Sequence, residues 1–129
     1  MIAGIGTDII EVERIRDAIL KNSSFVQKLF TDREIKYLKK RKMRPEFAAG
    51  RFAAKEAVSK ALGTGFRGFG TKDIEIDNDE LGKPFVILHG RADALAVKCS
   101  KDGKYKIHLS ISHTNNYAAA SAVLEVDLI

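Results

Sequence analysis

The stretch EFAAGRFAAKEAVSKAL, from Glu46 to Leu62, constrains the fold more than any other part of the sequence. Pro45 suits the first turn of a helix, and Gly63 suits the position just after a helix ends. The stretch therefore predicts one long helix. Its small residues would let neighbouring elements come close; they are Ala48, Ala49, Ala53 and Ala57.

Two stripes on this predicted helix have different chemistry. At about 100° per residue, a first stripe is apolar and consists of Ala54, Val58 and Ala61. A second stripe carries Phe52, Glu56 and Lys60. Because the first stripe already serves the core, we interpret the second, with its acid and its base, as facing a site.

The N-terminal segment MIAGIGTDII predicts a strand with two unlike faces. Ile5 and Thr7 point one way, whereas Gly4, Gly6 and Asp8 point the other. Glycine inside a strand often marks the close approach of another backbone or of a ligand. Asp8 is therefore expected at the strand's end, on the face that the glycines leave open.

The remaining segments predict an α+β domain rather than a doubly wound sheet. EVERIRDAIL and the capping box TDRE at Thr31–Glu34 predict two helices. IEIDND and KPFVIL predict strands, RADALAVKCS a short helix, and YKIHLSISHTNNYAAASAVLEV a hairpin. We expect Asn115 and Asn116 to make the hairpin's tight turn, because asparagine tolerates positive φ.

Composition limits the classes of protein that this chain can be. The 129 residues suggest a single domain, and a net charge of +5 favours anionic partners. Cys99 is the only cysteine, which excludes an intramolecular disulfide, argues for a reducing compartment and disfavours structural zinc. No signal peptide or apolar run long enough to cross a membrane is recognisable, so we expect a cytoplasmic protein without membrane association.

Two further motifs can each be interpreted either as ordinary loop structure or as a binding site. GTGFRG, from Gly63 to Gly68, matches a dinucleotide fingerprint only formally, because a helix precedes it and a strand follows. It is either a helix stop with a flexible turn or a loop whose amides meet a phosphate. The basic run Lys39–Arg44 is either a solvated loop or a nucleic-acid patch, and no RNA- or DNA-binding pattern accompanies it.

The candidate reactive residues also allow two readings each. Asp8 and Glu56 are either ordinary acids or, taken together, ligands for Mg²⁺, which takes carboxylates, water and phosphate oxygens. Lys60 is either an ion-pair partner of Glu56 or a group that neutralises phosphate charge. His113 is either a buried structural histidine or a phosphate contact, and Arg51 is either solvated or functional.

Three segments together resemble holo-acyl carrier protein synthase, the small class of 4′-phosphopantetheinyl transferase. They are GIGTDIIEVERI at Gly4–Ile15, FAAGRFAAKEAVSKALGTG at Phe47–Gly65, and LSISHTNNYAAA at Leu109–Ala120. Their order is that of the family, and they span almost the whole chain. The resemblance implies the family's fold, a mostly antiparallel sheet packed with helices that include one long central helix. One domain would then cover 1–129.

The resemblance also implies a reaction. Such enzymes move 4′-phosphopantetheine from coenzyme A to a serine of apo-acyl carrier protein in fatty acid biosynthesis, with Mg²⁺, and adenosine 3′,5′-bisphosphate leaves. Asp8 and Glu56 would hold the metal, and Lys60 would contact the phosphates. The serine proton would pass to Glu56 or to a metal-associated water, and both remain open. Phosphoryl-type transfer requires such charge neutralisation and alignment.

The family's other site residues map onto this sequence as well. Coenzyme A would contact Arg51, Lys60, Gly63, Gly65 and His113. The carrier protein would dock on the first helix and the segment after it, at Arg14, Lys21 and Phe25. Members of this length form homotrimers with active sites between subunits, and the same arrangement is expected here.

Two rival functions come from other classes of protein. A small basic nucleic-acid-binding module would use Lys39–Arg44 and need neither Mg²⁺ nor coenzyme A. A degenerate relative would bind carrier protein without catalysis, against which the intact Asp8, Glu56 and Lys60 argue. Transfer of phosphopantetheine to apo-carrier protein separates all three.

Overall fold

The computed structural model describes residues 1–127 and has the α+β architecture that the sequence predicts. Its strands are β1 (Ile2–Glu11), β2 (Ile74–Asn78), β3 (Pro84–Leu88), β4 (Tyr105–His113) and β5 (Tyr117–Val126). Its helices are α1 (Val12–Lys21), α2 (Phe25–Leu29), α3 (Asp32–Lys40), α4 (Pro45–Ala61) and α5 (Gly90–Lys98). A 3₁₀ turn, Thr71–Asp73, precedes β2. In the described part of the chain, no helix is both long and apolar enough to cross a membrane.

Two antiparallel sheets organise these elements. The larger has the order β1-β5-β4, and the smaller pairs β2 with β3. Within the larger sheet Asp8 lies opposite Ala120, and His113 lies opposite Ala118. The middle strand β5 therefore brings the end of β1 and the end of β4 to neighbouring positions.

The long helix α4 packs closely on one face of the larger sheet, as predicted. A Cβ atom built on Gly6 would lie 2.0 Å from the carbonyl oxygen of Ala57, and one on Gly4 would lie 1.9 Å from that of Ala61. The glycines therefore let the backbone of β1 approach the backbone of α4. The four small residues predicted to permit close packing are all fully buried: Ala48, Ala49, Ala53 and Ala57.

The ends of the helices follow the predicted signals. The Thr31 hydroxyl accepts a hydrogen bond from the Glu34 amide at 3.2 Å, and the Glu34 carboxylate accepts one from the Thr31 amide at 2.9 Å. Pro45 occupies the first turn of α4. Gly63, with φ +89°, follows the helix in a conformation that favours glycine.

The turn between β4 and β5 differs from the prediction. Neither Asn115 nor Asn116 has a positive φ. The Thr114 hydroxyl instead accepts hydrogen bonds from the amides of Asn116, at 3.2 Å, and Tyr117, at 3.1 Å. A hydroxyl can close such a turn without left-handed backbone, so Asn115 and Asn116 lie in the turn as predicted, and only their expected positive φ was wrong.

The outer face of the larger sheet, opposite α4, exposes large apolar side chains. Ile5 is 69% exposed and Ile9 is 68% exposed, and Tyr117 at the start of β5 is half exposed. Alternation along β1 explains this pattern, because Gly4, Gly6 and Asp8 face α4. Within residues 1–127 no element covers this outer face.

Candidate active site

Asp8, Glu56 and Lys60 come together where β1 crosses α4. The Lys60 ammonium donates to a carboxylate oxygen of Asp8 at 3.2 Å and to the carbonyl oxygen of Thr7 at 2.9 Å. Glu56 lies one turn before Lys60 on the same helix. Lys60 therefore pairs with Asp8 across the two elements, rather than only with Glu56 along its own helix.

Asp8 and Glu56 line one groove between β1, α1 and α4. The groove has a volume of about 440 Å³, and its wall includes Phe52, Arg14 and Phe25. Phe52 and Glu56 of the second stripe thus face an open groove, whereas Lys60, its third member, does not line it. The first stripe, Ala54, Val58 and Ala61, is buried.

The electrostatics of this groove favour a cation. Partial burial raises the pKa of the Glu56 carboxyl, and the nearby negative charge of Asp8 raises it further. Lys60 opposes this shift. Asp8 and Glu56 share this groove, and carboxylates are ligands that Mg²⁺ takes together with water and phosphate oxygens. The donor set therefore fits Mg²⁺.

Arg51 lies in a second, smaller pocket of about 200 Å³. Its side chain is almost completely buried, with only 2% of the residue exposed, so the solvated reading was wrong. Its guanidinium donates to the Asn78 side chain at 2.5 Å and stacks 3.6 Å from the Tyr37 ring centroid. Burial lowers the pKa of Arg51. Among the described residues, its Nε finds no hydrogen-bond partner.

His113 lines the same pocket at the end of β4. Its ring meets Phe47 edge to face at a centroid distance of 5.2 Å. The residue is exposed, so the alternative of a buried structural histidine was also wrong. A buried arginine with an unused donor and an exposed histidine make this pocket suitable for an anion.

The basic run Lys39–Arg44 borders the Arg51 pocket. Arg41 stacks 4.0 Å from the Tyr37 ring centroid, and Arg44 lies 4.9 Å from that of Phe47. Tyr37 is thus contacted by guanidinium groups of both Arg41 and Arg51. The sequence analysis missed Tyr37 and Asn78, because no periodic pattern links residues of different elements that meet only on folding.

The predicted site residues therefore divide into separate groups. Asp8, Glu56, Arg14 and Phe25 line the larger groove, and Lys60 reaches Asp8 from beside it. Arg51 and His113 line the smaller pocket. The remaining three do not line either cavity: Lys21 is exposed at the end of α1, and Gly63 and Gly65 begin the loop after α4.

Comparison with known proteins identifies a family for this arrangement. Residues 4–122 match the family model of the 4′-phosphopantetheinyl transferase superfamily. The holo-[acyl-carrier-protein] synthase of Clostridium novyi is 61% identical over 127 residues, which are 98% of this chain and 90% of that protein. The comparisons give no support to the nucleic-acid-binding alternative.

Solved structures have the same fold. The crystal structure of a holo-(acyl-carrier-protein) synthase from Bacillus anthracis in complex with CoA (3′,5′-ADP) is 41% identical, with a TM-score of 0.81 over 98% of this chain and 99% of that one. The synthase of Helicobacter pylori in complex with coenzyme A is 27% identical, with a TM-score of 0.79 over 94% and 99%. These similarities confirm the predicted α+β fold.

Proposed function

Because this chain belongs to the 4′-phosphopantetheinyl transferase superfamily, we propose that the groove shared by Asp8 and Glu56 is its active site. The enzyme transfers 4′-phosphopantetheine from coenzyme A to a serine of apo-acyl carrier protein, and adenosine 3′,5′-bisphosphate leaves. The serine oxygen bonds to phosphorus as the bond to the bisphosphate breaks. The observation that carries the assignment is that Asp8 and Glu56, which are far apart in the sequence, line one groove beside Lys60.

Asp8 and Glu56 would hold Mg²⁺. They fit because burial and the charge of Asp8 disfavour the ionised form of Glu56, and a cation between them would offset that repulsion. When bound, Mg²⁺ would draw charge from the diphosphate and stabilise the leaving bisphosphate. Lys60 would bind a phosphate oxygen, either in addition to its contact with Asp8 or in place of it. Its charge would then neutralise the negative charge that develops during transfer.

The test of this function is direct. Incubation with apo-acyl carrier protein, coenzyme A and Mg²⁺ should add one phosphopantetheine group to the carrier, detected by mass spectrometry. A chelator should abolish the addition, and Mg²⁺ should restore it. An unmodified carrier after prolonged incubation with folded enzyme would overturn the proposal.

Arg51 and His113 would bind the phosphorylated nucleotide end of coenzyme A. The supporting observations are the buried guanidinium with an unused donor and the adjacent exposed imidazole. Gly63 and Gly65 would leave space beside the diphosphate, since added Cβ atoms would meet nothing within 4 Å, while their amides already donate to the carbonyl oxygens of Lys60 and Ser59. The pocket of Arg51 and the groove of Glu56 are separate within one chain.

This separation supports a homotrimer with active sites at the subunit interfaces. In such an assembly the groove of one subunit would be completed by the Arg51 pocket of its neighbour. The exposed outer face of the larger sheet, with Ile5 and Ile9, provides apolar surface for association. We also propose that 1–129 form one domain, because α4 contacts strands of both sheets, and that the lone Cys99 reflects a reducing, cytoplasmic location.

Subunit mixing should reveal shared sites. Glu56→Gln and Arg51→Met are each expected to be nearly inactive alone, because each removes one half of every site. In each mixed trimer one of the three interfaces would combine an intact Glu56 from one subunit with an intact Arg51 from the other, which is about a quarter of all interfaces after random mixing of equal amounts. The measurement compares the activity of the two variants refolded together with their activity when refolded separately, and the excess reports the restored interfaces. No recovery despite verified mixed trimers would contradict shared sites.

Arg14 should serve carrier-protein docking. It is exposed on α1 and lines the groove, with Phe25 nearby and Lys21 further along the helix. Arg14→Ala should raise KM for the carrier about 3- to 5-fold, as expected for one exposed charge contact, and leave KM for coenzyme A unchanged. Lys98→Ala, which removes the same charge from α5, is the control. An equal rise in both KM values would count against docking.

A further inference from the structure

A fully buried ion pair includes the residue just before Glu56. The Lys55 ammonium lies 2.7 Å from a carboxylate oxygen of Glu34, and neither side chain is exposed. Glu34 belongs to α3, and Lys55 belongs to α4. The sequence analysis found no role for this lysine, because its partner lies on another helix.

The hydrogen bonds of this pair are completely used. The Lys55 ammonium donates to Glu34, to the carbonyl oxygen of Thr71 at 2.8 Å and to that of Ile74 at 2.7 Å. The Glu34 carboxylate also accepts from the amides of Thr31 and Ile76, each at 2.9 Å. An ammonium has three donors, and the single position that Lys55 occupies satisfies all three of them.

Lys55 also holds one end of the glycine-rich loop, residues 63–70. Thr71 follows this loop directly, so the loop's far end is held by Lys55. At its near end, the Gly65 amide donates to the carbonyl oxygen of Ser59 at 3.1 Å. Both ends of the loop are therefore fastened to α4, on the turns that carry Glu56 and Lys60.

Stability alone is a poor explanation for such a pair. Replacing a buried ion pair with apolar side chains is often neutral or stabilising, because the charges must be removed from water. Orientation is a better explanation here. Adjacent residues in a helix point about 100° apart, so fixing Lys55 on one side of α4 also fixes the direction in which Glu56 leaves it.

We propose that Lys55, held by Glu34, is a positioning residue of the transferase: it sets the direction of Glu56 and the place of the glycine-rich loop. This inference rests on the proposed function. Lys55 is too deeply buried to touch substrate, and it acts only through Glu56 and through the loop. Coenzyme A binding and turnover should therefore both depend on it.

The deciding experiment uses the double variant Lys55→Met/Glu34→Leu, which replaces the pair with apolar side chains. We expect it to fold with a lowered melting temperature, because the amides of Thr31 and Ile76 and the carbonyls of Thr71 and Ile74 lose their side-chain partners. Its kcat should fall roughly 10- to 100-fold, as expected for a small misplacement of reacting groups. The half-saturating Mg²⁺ concentration and the Kd for coenzyme A, measured by calorimetry, should both rise. Wild-type values for all three in the folded double variant would overturn the proposal.

Two further variants complete the design. Glu34→Gln retains the shape of the side chain and most hydrogen bonds, and it should raise the half-saturating Mg²⁺ concentration several-fold; no change would also overturn the proposal. Tyr105→Phe removes a hydrogen bond to Asp93 that joins β4 to α5, and it should lower stability without moving the Mg²⁺ response. An inactive wild type would instead refute the proposed function, so the two failures are distinguishable.

Discussion

Glu56→Gln should lower kcat on the order of 10³-fold without lowering the melting temperature. The amide cannot replace a charged metal ligand, and losing the electrostatic help of the metal costs several kcal/mol in the barrier. The fold should survive because Glu56 is disfavoured as an ion in the folded protein: its pKa is raised by burial and by Asp8. A neutral side chain of the same shape removes that penalty.

The measurement combines steady-state kinetics with thermal unfolding. Asp8→Asn should give a similar loss of turnover, since Asp8 is the second carboxylate of the groove. Glu80→Gln, at an exposed turn between β2 and β3, makes the same chemical change away from the site and should leave kcat unaltered. Near-normal kcat in Glu56→Gln would remove the metal assignment.

Gly6→Ala should destabilise the protein by at least about 3 kcal/mol, beyond the usual range for added core methyl groups. The new Cβ would lie 2.0 Å from the Ala57 carbonyl oxygen and 2.8 Å from the Ala61 nitrogen. Both atoms belong to the helix backbone, so no rotamer change can relieve the contact. β1 would have to move away from α4, and Asp8, two residues later, would move with it.

Urea denaturation measures this effect against Gly70→Ala. Gly70 has φ −106°, which any residue adopts, and a Cβ there would meet nothing within 4 Å. The control should therefore stay within about 0.5 kcal/mol of the wild type. Equal stability of the two variants would contradict the close approach of β1 to α4. Where Gly6→Ala still folds, its turnover should also fall.

Most elements of this fold could be predicted from local patterns. The run from Glu46 to Leu62 has helical periodicity between a proline and a glycine, and α4 occupies Pro45–Ala61. The alternation in β1 placed its glycines correctly against a neighbouring backbone. The turn at Asn115 and Asn116 was located correctly, but its expected positive φ was wrong, because asparagine only tolerates that conformation and the Thr114 hydroxyl closes the turn without it.

The site was only partly predictable. The resemblance directed attention to Asp8 and Glu56, and the structure brings them to one groove. The resemblance could not reveal that Arg51 and His113 line a different pocket, because the position of this pocket depends on how α3, α4 and β4 pack. The burial of Lys55 could not be predicted for the same reason. A lysine between two alanine-rich turns is expected at the surface, and only the fold shows that Glu34 and two backbone carbonyls lie beside it.

Side chains of β1 alternate between its two faces, so the register of this one strand decides what both faces present. One face supplies Gly4, Gly6 and Asp8 toward α4, and the opposite face supplies Ile5 and Ile9 outward. Deleting one residue between them would exchange the two sets, because side chains in a strand alternate with a period of two. Isoleucine would then be forced against helix carbonyls while the aspartate turned to the outside. The number of residues in this segment is accordingly constrained as strictly as the identities of its glycines and its aspartate.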